Sequence, residues 1–501
     1  MELLVGLDVG TTAAKALLFD LQGNLIASAS HAYGLLIPQE GWVEQSPVDL
    51  WQGVVETCRS LVAQVPSGSR IVALAQASQG GTTIPVDAEG RPTYNAISWM
   101  DRRTRAQAER AQKKLDGDRA SHPAPGDFVY ATTGWPLQNC LPLQHIAWLQ
   151  ENCPHEFAAT RWFRFVNDFI MHQLTGRACM NPSDAGMTQL FDITRGDWSG
   201  RLLGVAGIRP DQLSSIWPSG AAVGRLTAAA SQATGLPQEV LVVNGAHDQY
   251  CAAVGAGVIQ PGSVLLSCGT AWVILAVPSN LETALRTGMG VGRHAVTDQL
   301  GVICSLGGVG ASLEWFLNQI WREPCENAYA SVNASAARVP VGANGLLFHP
   351  LAGGYTGEPG QGGFVGLSLS HTRDEMARAV MEGITYELRR ALEGIQAAGI
   401  PVTELRMVGG AAESPLWPHL VADITGIPVS VSPLKQAASV GAAILAGMGA
   451  GLFSDVTRAL VAFQRPETRL EADGEYRQAY DRAFALYRET CDALNRRRFQ
   501  P

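Results

Sequence analysis

Residues 3–30 read LLVGLDVGTTAAKALLFDLQGNLIASAS: two apolar runs around a polar, glycine-containing turn, with a third run after a second turn. The pattern predicts a strand over Leu3–Leu7, a turn over Asp8–Thr12 and a strand over Lys15–Phe19. Gln22-Gly23-Asn24 then turns the chain into Leu25–Ser28. This is a hairpin or meander. A dinucleotide fold would instead run from its first strand through a glycine turn into a helix.

The same order returns at residues 263–277, SVLLSCGTAWVILAV, where Val264–Ser267 leads through Cys268-Gly269-Thr270 into an apolar run over Ala271–Val277. Ordinary hairpin construction produces such similarity too. Its placement at the start of a second candidate domain points to duplicated halves. The expected partition is 1–245 and 246–501, with a hinge near 244–260. IVALAQAS reads as a strand ending at Ser78–Gly81. LRMVGGAAESPLWPHLVADITG reads as strand, double-glycine turn and helix, with Pro415 early in the helix and Gly426 near its end. In TRDEMARAVMEGITYELRRALEGI, Thr372 and Glu375 fit a capping box, and Met376, Val380, Ile384, Leu388 and Leu392 recur every fourth residue. Strands flanked by helices imply layered α/β domains.

A chain of 501 residues exceeds one ordinary hydrophobic core, and 46% hydrophobic with 16% charged residues is a globular composition. The net charge of -8 disfavours nucleic acid or an anionic membrane as the main partner, and no apolar run is long enough to span a bilayer. Nine cysteines without a CxxC pair resemble buried small residues, and the expectation is a cytoplasmic protein. The closing RRRFQ is expected to be a solvated end.

Several polar positions fit ligand chemistry, each with a plainer alternative. In Asp8-Val9-Gly10-Thr11-Thr12, Asp8 fits a magnesium ion held through water, while the backbone of Gly10 and the hydroxyls of Thr11 and Thr12 fit phosphate, with Lys15 nearby. Taken alone, these residues read more plainly as a polar hairpin turn with a fold-capping Asp. Gly269-Thr270 is a second candidate phosphate loop, and Gly409-Gly410 a third ligand-facing turn, suited to a nucleoside. Asp248 ends an apolar segment and precedes a small-residue helix start. It is placed to take a proton from a substrate hydroxyl while Gln249 orients another, or else to cap that helix. Gln79, Trp99 and Asp101, followed by Arg102 and Arg103, form a further cluster. Trp99 fits the apolar face of a sugar and Asp101 its hydroxyls, or they are a core Trp beside a surface ion-pair cluster.

Taken in order, LDVGTTAAKALLFD, YNAISWMDRRT, NGAHDQYCAAVGAG, LLSCGTAW, HTRDEMARAVMEG, RMVGGAAESPLWPHLVADITGIPV and AASVGAAILAG resemble the FGGY carbohydrate kinase family, which includes xylulokinases, gluconokinases and glycerol kinases. The resemblance implies two actin-like domains of ribonuclease H type, ATP bound mainly by the second, a sugar held in a cleft between them, and a homodimer. It makes Asp8 the magnesium-associated carboxylate, Thr11 and Thr12 part of the first phosphate loop and Gly269 and Thr270 part of the second. Gly409 and Gly410 then approach the nucleoside and Asp248 becomes the catalytic base. Ser78-Gln79 stands where xylulokinases and gluconokinases commonly show Met-His, Gly353-Gly354-Tyr355 where Gly-Glu-Arg is usual, and Met180-Asn181 where Thr-Asp is usual. The overall pattern implies a xylulokinase-like enzyme phosphorylating a ketopentose such as xylulose. Another ketose, a deoxyketose, a sugar acid or a polyol is the alternative substrate, and a non-catalytic sugar or nucleotide sensor the alternative of a different class.

Overall fold

The opening meander forms as expected: Glu2–Val9, Ala13–Asp20 and Leu25–Ala32 are antiparallel neighbours. The computed structural model describes residues 1–116, 125–323, 325–351, 362–433 and 435–496. Two compact units are present, and the chain passes between them more than once. The first comprises Met1–Ile259, Gly288–Gly301 and Gln436–Gln464, and the second Gln260–Thr287, Val302–Lys435 and Arg465–Pro501. The Gly353-Gly354-Tyr355 position and the end of RRRFQ lie outside the described residues.

In the first unit, Arg70–Ser78 and Leu241–His247 extend the meander as parallel strands beside Glu2–Val9, and Ala222–Arg225 closes the far edge antiparallel. The register sets Val9 beside Ser78 and Ser78 beside His247. The carboxyl ends of three parallel strands therefore finish level, and the residues that follow them meet at one edge of the sheet. These strands are apolar on both faces because helices cover both. Leu3, Val5 and Leu7 are fully buried in a core shared with Leu50, Val54, Cys58 and Leu61 of the helix Pro47–Val62. That helix begins where Ser46 accepts a hydrogen bond from Asp49 N–H. On the other side, Ala437–Gly449 packs on Glu2–Val9 and Arg70–Ser78.

The second unit repeats this plan. Gly262–Cys268, Trp272–Ala276 and Leu300–Ser305 form an antiparallel meander. Val402–Val408 and Val429–Val431 then run parallel beside its first strand, and Thr468–Leu470 closes the edge antiparallel. Over these six strands the two mixed α/β sheets share one order and one pattern of directions, consistent with a duplicated ribonuclease H-like fold. The capping box forms: Glu375 accepts from both the N–H and the hydroxyl of Thr372, and the helix runs Arg373–Ala397. The double-glycine segment differs in detail. Pro415 lies before the helix, which spans Trp417–Thr425 with Pro418 in its first turn. Ser414 sets this start, because its hydroxyl accepts from Leu416 and Trp417 N–H. Gly426, at φ 71°, ends the helix.

No described helix is long and apolar enough to cross a membrane. The cysteines whose side chains are described are all free thiols.

Candidate active site

In the first unit the site grows from the level strand ends. Asp8 is the penultimate residue of its strand and lies opposite Lys15 across the hairpin, so both side chains stand on one face. Asp8 Oδ1 is enclosed and accepts no hydrogen bond. Burial, then the charge of Asp248, pushes its carboxyl up to about 7, against the lowering effect of Lys15. Tyr33 was not anticipated. Its hydroxyl donates to Gly10 O at 2.6 Å and pins the turn.

Thr11 is drawn into a different task from the expected phosphate contact. Its hydroxyl donates to Gln79 Oε1 at 3.2 Å and accepts from Trp99 Nε1 at 3.1 Å. The Gln79 amide donates to Gln45 Oε1 at 3.0 Å and Gly10 O at 3.3 Å, and Gln45 Nε2 donates to Thr11 O at 2.7 Å. Gln79 is only 3% exposed and its amide is committed to this ring of bonds, so it supports the wall of the site from behind. Thr12 remains exposed. Trp99 is 38% exposed, high for so large an apolar side chain, with its ring edge fixed by Thr11. Such a ring is an open platform, and the core reading does not fit it.

Asp101 is corrected by the structure. It is fully buried, and its carboxylate accepts from Val43 N–H at 2.7 Å and from Arg103 N–H and Nε at 2.8–3.0 Å. Arg103 is itself 1% exposed, pairs with Glu44 at 2.8 Å and stacks 3.7 Å over Trp42. This buried triad fixes the loop that carries Trp99 and leaves Asp101 no open position for a sugar hydroxyl.

At Asp248 the capping alternative fails. His247 is the N-cap of the helix Asp248–Gly255, with its Nδ1 accepting from Gln249 N–H at 3.3 Å. Asp248 is therefore free for other work: its Oδ1 is enclosed without a hydrogen bond, as is Gln249 Oε1. Buried acceptors left without donors are uncommon, and a polyhydroxyl ligand would satisfy them. The helix that holds them is set by close backbone contact. A Cβ on Gly441 would lie 1.8 Å from Cys251 O, so only glycine lets Ala437–Gly449 approach this closely.

Asp184 is a further buried carboxylate that sequence reasoning missed. It accepts from the Ser78 hydroxyl at 3.1 Å and the Asn181 amide at 2.7 Å, within a short helix that Asn181 caps. Burial pushes its carboxyl well up.

In the second unit, Gly269-Thr270 and Gly409-Gly410 follow adjacent parallel strands and are all exposed. Gly409 has φ 92°, and a Cβ on it would meet Cys268 O at 2.6 Å. Next to them a helix, Val309–Phe316, begins at Gly308 without a side-chain cap. A Cβ on Gly310 would lie 2.3 Å from Gly269 O, so this uncapped start abuts the Gly-Thr loop. Free N–H groups beside such a loop suit phosphate oxygens. The run Gly307-Gly308-Val309-Gly310 was the available sequence signal.

No group of three or more His, Cys, Asp or Glu able to hold a metal occurs among the described residues. One desolvated, unpartnered carboxylate at Asp8 does fit magnesium, which keeps several waters and is held by one or two carboxylates together with substrate phosphates.

Comparison with known proteins agrees with this geometry. The chain is 29% identical to the xylulose kinase of Bacillus subtilis (strain 168) over 494 residues, 97% of this chain and 96% of that protein. It is 31% identical to the glycerol kinase of Ralstonia nicotianae over 474 residues, 90% of this chain and 91% of that protein. The crystal structure of xylulose kinase from Rhodospirillum rubrum superposes with a TM-score of 0.88 at 26% identity, covering 98% of this chain and 99% of that one. Residues 3–255 match the N-terminal domain of the FGGY family of carbohydrate kinases and residues 264–450 its C-terminal domain. With duplicated sheets, level strand ends and an uncommitted Asp248 already in place, the chain belongs to the FGGY family of carbohydrate kinases.

Proposed function

We propose that this protein transfers the γ-phosphoryl group of ATP to a hydroxyl of a small sugar, with a ketopentose such as xylulose as the substrate. The observation that carries the reading is Asp248, a half-buried carboxylate at a strand's carboxyl end whose Oδ1 is enclosed without a partner and whose capping duty has passed to His247. The sugar lies on Trp99, with Gln249 Oε1 accepting from one of its hydroxyls. Asp248 Oδ1 accepts the proton of the hydroxyl that attacks. The new bond forms between that oxygen and the γ-phosphorus, the bond to the β,γ-bridging oxygen breaks, and ADP leaves. Asp8 holds magnesium, which when bound supplies neutralising charge at the phosphate oxygens. Within the first unit Thr12 and Lys15 are donors suited to phosphate, and within the second unit the Gly269-Thr270 loop and the Val309–Phe316 helix start are. Gly409 and Gly410 let the backbone lie close to the nucleoside.

The ketopentose assignment is supported by xylulose kinases among both the sequence relatives and the solved structures. Glycerol kinase and gluconokinase relatives set the rival substrates. ADP release measured with D-xylulose, L- and D-ribulose, a deoxyketose, gluconate, glycerol and pentitols tests the reading. The expected result is the highest kcat/KM on a ketopentose. A higher value for glycerol or gluconate overturns the substrate class, and ATP binding without sugar-dependent turnover overturns the enzyme in favour of a sensor.

A further inference from the structure

We infer that His247 is a positioning residue for Asp248: its Nε2 lies beside Asp248 Oδ1, and in the substrate complex its N–H holds this oxygen where the attacking hydroxyl must meet it. The inference rests on the reading of Asp248 as the base.

The two ring nitrogens of His247 have separate duties. Nδ1 accepts the Gln249 N–H and starts the helix, so in the neutral ring the proton sits on Nε2. Nε2 is 3.4 Å from Asp248 Oδ1, the oxygen that accepts no other bond. The ring N–H is not aligned for a hydrogen bond in the free protein, and catalytic hydrogen bonds are often poorly aligned in the free enzyme and tighten only in the substrate complex. Burial keeps the imidazole below its ordinary range, against the pull of Asp248, so at neutral pH the ring is an uncharged donor.

The ring is also held from two sides, and the backbone beneath it is fixed as well. A Cβ on Gly80 would come within 2.5 Å of its Cδ2, so the backbone after Gln79 lies directly against it. Tyr250 meets it edge-on, with centroids 6.0 Å apart. The His247 backbone N–H donates to the Ser183 hydroxyl at 3.0 Å, and Ser183 donates in turn to Asn181.

The two duties separate by substitution. In His247→Asn the amide oxygen takes the Nδ1 position and keeps the cap, but nothing replaces Nε2–H. In His247→Gln the longer amide reaches the Nε2 position and the cap is lost. Each variant, with Asp248→Asn alongside, is assayed for kcat, KM and Tm, using ATP–Mg and whichever of D-xylulose, D-ribulose, gluconate or glycerol the parent turns over fastest. Outer partners that orient a reactive group are worth roughly 10–100-fold where measured around metal sites. His247→Asn should keep the parental Tm and sugar KM and lose about tenfold or more in kcat. His247→Gln should lower Tm and keep kcat within a few-fold.

Parental kcat in a folded Asn variant, or kcat following Tm in both variants, overturns the inference. If the Asn variant does not fold, the Gln variant decides: near-parental kcat supports the donor role, and a tenfold loss overturns it. An inactive Asp248→Asn beside a fully active His247→Asn sinks the positioning role alone. An active Asp248→Asn sinks the base reading beneath it, as does a parent that turns over none of the four sugars.

Discussion

Asp8 shows what the site costs the fold. Its carboxyl sits near 7 against an ordinary 3.8, so the folded chain holds a proton that the unfolded chain has released across that window. Stability contributed by this group is therefore present at low pH and lost as pH rises from about 4 to about 7. Asp8→Asn should abolish turnover and, without magnesium, reduce the loss of Tm between about pH 5 and about pH 8. Equal pH slopes for parent and variant in calorimetry would contradict the burial argument. The positions of Asp8, Trp99 and Asp248 were legible in the sequence because each stands at the end of an apolar run or beside a turn. Gln45 and Tyr33 were not, because they reach the Gly10-Thr11 turn from 34 and 23 residues away. Asp101 was misread for a related reason. A carboxylate followed by arginines fits either sugar hydroxyls or a surface ion-pair cluster, and only the full burial of Asp101 and the stacking of Arg103 on Trp42 show that the cluster is interior.

At the scale of elements, local signals were dependable and contacts between elements were not. The meander and the capping box depend on residues a few positions apart. The close packing of Asp248–Gly255 with Ala437–Gly449 depends on Gly441, far along the chain, and no periodicity announces it. The box offers a clean test. Bonds from the Thr372 hydroxyl and N–H hold Glu375 down at about 2, so its contribution is present above about pH 4.5 and lost as pH falls toward 2. Thr372→Ala should destabilise the protein by about 1 kcal/mol at neutral pH, with a smaller difference in acid. Urea denaturation at the two pH values reads this directly, and no difference at neutral pH would contradict it.

For the whole molecule, duplication explains why candidate residues occur in repeated places. Each unit carries an antiparallel meander, then parallel strands, and in each the ligand-facing loops follow the strands' carboxyl ends. Short Gly-Thr turns hinted at this in the sequence. The order and direction of the outer strands needed coordinates, because parallel pairing joins Arg70–Ser78 to Leu241–His247 and Gly262–Cys268 to Val402–Val408, segments more than a hundred residues apart. The account turns on Asp248 as the group that takes the hydroxyl proton. Asp248→Asn keeps the volume of the side chain and leaves the His247 cap intact. General acid–base groups contribute roughly 10²–10⁴-fold to rate, so rapid-quench measurement of phosphoryl transfer from ATP to the best sugar should show a fall of at least ~100-fold in a variant with parental Tm and ATP affinity. A folded Asp248→Asn protein whose transfer step runs within a few-fold of the parent would contradict the account.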